Sequence, residues 1–189
     1  MKDDLPRLFK KAGEQMDKYI QNISEEDLEK DSIDKDWKVR DLLNHIISEQ
    51  LWLPPLLKGK TIAEVGDQFD GDLLGSDFKG AWSKAAQEVN EALLKEGALD
   101  GVAHLSYGDF PGEKYASDML FDLIIHSFDV AKSTGQNTSL DEELVNVAWD
   151  YASKNAEEWR KAGALGEKIE VSNDASLQDR LIALSGREP

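Results

Sequence analysis

The chain has 189 residues, no cysteine and three histidines, with 22 Lys and Arg against 38 Asp and Glu for a formal charge of −16. That length is enough to bury a core without disulfide or metal staples and predicts one domain over residues 1–189. Acidic residues spread along the whole chain repel phosphate backbones and anionic lipid, which argues against nucleic acid and membrane as partners. Without cysteine there is no disulfide, thiolate ligand or protein-borne sulfur nucleophile, so any thiol chemistry must import its sulfur.

The N-terminal stretch MKDDLPRLFKKAGEQM carries no apolar core of signal-peptide length. The greasiest segment elsewhere, Leu51 to Leu57, is short and broken by Pro54 and Pro55, so the expected location is the cytoplasm. Leu5, Leu8, Phe9, Ala12, Met16, Tyr19 and Ile20 recur at helical spacing and predict a first amphipathic helix from Asp4 to Asn22. Ser24 and Asp27 resemble the start of a short helical turn, followed by a polar connection to Asp36. Asp36 then reads as the N-cap of a second helix from Trp37 to about Lys58, which Pro54 and Pro55 kink or shorten. Its core face is Val39, Leu42, Leu43, Ile46 and Leu53. His45 lies on the flank of that face and Glu49 one turn later, so two ionisable groups point inward, an arrangement that is costly unless they are paired or bound to a cation. A histidine at the core edge bonded to Glu49 would satisfy that requirement without any ion.

The segment from Thr61 to Ser76 is rich in Gly and Asp and reads as a long connection with room for one helical turn. A third helix follows from Asp77 to Lys95. The stretch ALDGVAHLSYGDFPGEKYAS is the least regular part and reads as a loop over one end of a bundle, carrying His104 as a loop histidine rather than a ligand. A fourth helix runs from about Lys114 to Ser133. It is greasy on most sides, which predicts a central position. Asp122 and His126 fall about 40° apart on it, one turn along the axis, and Asp129 joins the same wedge. This acidic strip is either a solvated edge or a functional face. Ser139 with Glu142 reads as the capping box of a fifth helix to about Lys161, and a short helix-like LQDRLIAL lies in the tail. The fold class is therefore all-α: a four-helix bundle with an additional helix and a short C-terminal tail.

His45 and the Asp122–His126 pair lie on two helices that can face one bundle interior. Two imidazoles and a carboxylate make a three-point site for a divalent cation, leaving a position for water or substrate. The same ligand set also matches the facial triad of iron oxygenases.

The run WKVRDLLNH, with Trp37, Val39, Asp41, Leu42, Leu43 and His45 in place, resembles the second-helix signature of the DinB-like metal-binding bundles. DLIIHSFDVAKSTG is similar to the matching segment of the branch that includes the metal-binding domain of mycothiol-dependent maleylpyruvate isomerase, and RLIALSGREP is similar to tails in that branch. The resemblance implies a four-helix bundle holding zinc or nickel, with His45, Asp122 and His126 in the three ligand positions. Many members have histidine, and the isomerase glutamate, where this chain has Asp122; the shorter side chain requires a closer helix approach or a bridging water. The isomerase also carries a further C-terminal domain where this chain has only a short tail, so its specific activity is not carried over.

The function so implied is a metal-dependent transferase or isomerase in which the ion binds a low-molecular-weight thiol, lowers its pKa and presents the thiolate to a small-molecule electrophile. Glu49 and Asp129 would orient the imidazoles or serve as a general base, and Trp52, Tyr107 and Phe110 would wall the pocket. The alternative is a non-catalytic metal-binding or homodimeric assembly module of the same fold.

Overall fold

The structure, a computed structural model, describes residues 2–34, 36–172 and 174–189. By its internal contacts the chain divides into two compact units, Met1–Thr138 and Ser139–Pro189. Among the described residues there are seven α-helices and one two-stranded sheet, which bears out the all-α, DinB-like class. Among the described residues no helix is long and apolar enough to cross a membrane.

In the first unit α1 (Leu5–Gln21), α2 (Val39–Leu57), α4 (Phe78–Leu93) and α5 (Gly112–Ser133) pack around one core; α3 (Ile62–Val65) is a single turn in the connection between α2 and α4. Helix α1 contacts α4 and α5, and α2 contacts the same two, so the four helices close a ring. Helix α5 is the buried one. From Met119 to Ala131 every residue is buried except Asp122, which is why its apolar residues occupy nearly the whole circumference and the single opening falls at a carboxylate.

Three local expectations are corrected. Helix α2 starts at Val39, not Trp37, and Asp36 is not its cap; that residue takes φ 67°, a left-handed conformation that Asp tolerates. The helix start is fixed instead by Asp41, whose carboxylate accepts the Lys38 N–H at 2.9 Å. The prolines do not shorten the helix, which runs through both to Leu57. Their missing N–H groups leave the Gln50 and Leu51 carbonyls without an i+4 donor, but they do not end the helix. Thirdly, ALDGVAHLSYGDFPG is not an irregular loop: β1 (Val102–Leu105) and β2 (Gly108–Pro111) form an antiparallel hairpin with His104 opposite Asp109. This hairpin lies against α2 and α5. Gly112 enters α5 so close to the preceding chain that an added Cβ would stand 3.3 Å from the Gly101 carbonyl and 3.4 Å from Leu57. Replacing it with valine should therefore displace the start of α5 and lower the melting temperature, whereas valine at the open Gly13 should cost only helix propensity.

The second unit consists of α6 (Glu142–Lys161) packed on α7 (Leu177–Leu184). Asp141, not Ser139, caps α6, its carboxylate accepting the N–H groups of Glu143 and Leu144. A cavity of about 430 Å³ belongs to this unit, lined by Trp149, Glu157, Lys168, Glu170 and Arg180 among others. Its charges are answered locally: Lys168 lies 3.8 Å from Glu170, and the Arg180 guanidinium sits 4.6 Å over the Trp149 ring. No histidine lines it.

Candidate metal centre

The three predicted ligands converge in the first unit. Ligand-capable atoms of His45 on α2 and of Asp122 and His126 on α5 all lie within 4.8 Å of one another. Two local causes put them there. The apolar face of α2 turns His45 toward α5, where its ring meets the His126 ring edge-on at 5.1 Å between centroids. The i,i+4 spacing on α5 sets Oδ1 of Asp122 3.3 Å from Nε2 of His126. Two ligands about 2.0–2.2 Å from a tetrahedral zinc stand roughly 3.3–3.6 Å apart. The short aspartate therefore meets the separation without a longer side chain.

The other face of His126 is bound by the protein. Nδ1 lies 2.8 Å from Oδ2 of Asp129, which is fully buried, whereas the Asp122 side chain is 37% exposed. The arrangement assigns different work to the two carboxylates. Asp129 accepts the Nδ1 proton and fixes the ring, leaving the Nε2 lone pair facing the carboxylate of Asp122. Two acceptors facing each other at 3.3 Å repel unless a proton or a cation lies between them. Burial disfavours the imidazolium, but Asp122 and Asp129 outweigh it and hold the His126 pKa well above the usual histidine range when no metal is bound. The donor set fits a divalent cation: two imidazole nitrogens and one carboxylate oxygen, with a tautomer already set and a fourth position open.

Glu49 sits one turn after His45. Burial, then the charge of Asp122, push its carboxyl up to about 7, with His126 pulling the other way. It is thus electrostatically coupled to two of the three donors while standing outside the trio itself.

Sequence reasoning missed Asp34. Its carboxylate, with His126 and Asp129, forms a second group whose ligand-capable atoms lie within 4.8 Å of one another. Since Asp129 already holds Nδ1, these carboxylates are better suited to orienting the ring than to binding a second ion. The polar connection before α2 folds back tightly, with Ser32 N–H donating to the Trp37 carbonyl and Ile33 N–H to Ser133 Oγ, and this places Asp34 against α5. Trp37, from the same connection, packs its ring 5.2 Å from that of His45. Only the strictly local turn signal was readable there; the partner helix lies about 100 residues away.

Of the predicted pocket walls, Tyr107 and Phe110 stack on each other at 5.3 Å on the hairpin, and Trp52 packs against Phe69 at 5.5 Å. His104 is on β1 and bonds Asp109 at 2.7 Å.

A ring of four helices with this histidine and carboxylate pattern marks a DinB-like helical domain. The chain belongs to the mycothiol maleylpyruvate isomerase N-terminal domain family, whose model matches residues 9–131. It is similar to two uncharacterized proteins of Mycobacterium tuberculosis, one from strain CDC 1551 / Oshkosh and one from strain ATCC 25618 / H37Rv. Each is 26% identical over 111 residues, which cover 58% of this chain and 56% of the relative. The match thus spans little more than half the length of these relatives. No solved structure matches it.

Proposed function

We propose that this chain is a cytoplasmic metal-dependent transferase or isomerase that holds one divalent ion, zinc or nickel, through His45, Asp122 and His126, and uses a low-molecular-weight thiol of the mycothiol type. The observation that carries the reading is Nε2 of His126 set 3.3 Å from Oδ1 of Asp122 while Nδ1 is engaged by Asp129 at 2.8 Å. When bound, the ion supplies Lewis acidity that lowers the pKa of a thiol and presents its thiolate to an electrophile. The chain's own residues do the rest. Asp129 orients His126, Asp122 carries the one ligand charge, and Glu49, one turn after His45, is placed to take up or release a proton beside the open position. The absence of cysteine from the chain accords with a nucleophile that arrives as a cofactor.

Metal content of tag-free protein, measured by inductively coupled plasma mass spectrometry beside His45→Ala and His126→Ala, tests this directly. The expected result is close to one zinc or nickel per chain, lost in both variants, with a melting temperature that falls on adding chelator. Iron in that place would redirect the chemistry to oxygen. A wild type that cannot be loaded, with a melt indifferent to chelator, would sink the reading.

A further inference from the structure

Helix α5 carries its site residues as a strip. At 100° per residue Tyr115, Asp122 and His126 fall within about 40° of one another, so the tyrosine stands on the ligand-bearing face, two turns toward the hairpin. Its side chain is buried, 5% exposed. Among the described residues the hydroxyl has no hydrogen-bond partner, and it is not one of the polar atoms sealed from solvent. Buried tyrosines ordinarily find a partner for the O–H. This one keeps some contact with solvent instead, and its electrostatic neighbours are Glu49, Tyr107, Asp122 and Asp118, with burial and those groups together keeping it protonated.

A neutral donor among carboxylates selects its acceptor by charge. Asp118 is already paired with Lys114 at 3.1 Å, and with an ion held by Asp122 the negative charge left near the hydroxyl is that of Glu49. Against that field a carboxylate or phosphate on the ligand is disfavoured, and an uncharged carbonyl oxygen is the acceptor that a phenol O–H suits best. We propose that Tyr115 is a specificity-determining residue that donates a hydrogen bond to an uncharged carbonyl, amide or ketone, of the molecule bound at the open position of the His45–Asp122–His126 site. The inference rests on the metal-centre reading above. Tyr107, one of the neighbours of that hydroxyl, stacks on Phe110 at 5.3 Å on the hairpin.

The test uses cobalt-loaded protein and two thiols, N-acetylcysteamine, which carries an amide, and 1-butanethiol, which does not. Binding is followed by the cobalt visible spectrum in wild type and Tyr115→Phe. Phenylalanine keeps the buried ring, so melting temperature and cobalt affinity should stay at wild-type values. Wild type should prefer the amide thiol, and Tyr115→Phe should lose about threefold to tenfold in affinity for it while binding butanethiol unchanged. A pure packing role would move both thiols together. Equal affinity of wild type and Tyr115→Phe for the amide thiol, or a parallel loss for both thiols, overturns the tyrosine's role and leaves the metal centre standing. A wild type that takes up no cobalt overturns the metal centre and the tyrosine's role with it.

Discussion

Asp129→Ala should weaken metal binding by about 10- to 100-fold and, in the metal-free protein, cost about 3–5 kcal/mol of stability. Both effects have one origin. Asp129 is fully buried and bonded to Nδ1 of His126, itself buried, so alanine removes the acceptor bonded to Nδ1 and leaves only the Asp34 carboxylate near that side of the ring. Asp129→Asn separates charge from geometry. The amide oxygen still accepts the Nδ1 proton, so orientation survives, while the lost negative charge lets the His126 pKa fall back toward its usual range. Competition for metal against a chromophoric chelator should then give an intermediate loss for Asn, and urea denaturation of metal-free protein should rank wild type above Asn above Ala. Metal affinity unchanged in Asp129→Ala would mean that His126 needs no support from behind.

The same residue shows how far the sequence could be read. Asp122, His126 and Asp129 share a wedge of α5 because of spacing alone, and that was legible. Their division of labour was not, since it depends on burial: 37% exposure at Asp122 and none at Asp129 follow from how α1 and α2 pack on α5. Helix existence was readable from apolar periodicity in every long segment. Helix starts were less so, because Asp36 and Ser139 are good cap residues by type, yet the caps that form are decided by which carboxylate closes on which N–H, Asp41 and Asp141. The hairpin was hidden for a different reason. Its strands have four residues each and its Ser106–Tyr107 turn lacks the Asn-Gly or Asp-Gly chemistry that marks such turns. Asp34 lay in a segment with no periodicity at all, and only contacts across the fold bring it to His126.

Glu49→Gln should stabilise the metal-free protein above neutral pH by about 2–3 kcal/mol and do almost nothing below pH 4. Burial first, then the Asp122 charge, raise the Glu49 pKa from 4.5 to about 7 in the fold. Between those values the folded chain keeps a proton that the unfolded chain has released, so stability falls as pH rises through that window; glutamine, which cannot ionise, removes the fall. His126 acts in a separate range. Its pKa is raised by the two carboxylates against the effect of burial, so its contribution is complete below the ordinary histidine pKa and is lost only as pH climbs well above it. The difference between wild type and Glu49→Gln, measured by urea denaturation with chelator from pH 4 to 9, therefore isolates the carboxyl. Adding zinc or nickel should reverse its sign. A dication beside Asp122 favours the ionised Glu49, so above pH 7 the metal-bound wild type should become the more stable of the two, and a variant that keeps its advantage with metal present would place the ion elsewhere. The same charge balance sets the affinity itself: metal must displace the proton held between His126 and Asp122, so binding should tighten as pH rises and release a proton, seen as a heat that varies with the ionisation enthalpy of the buffer.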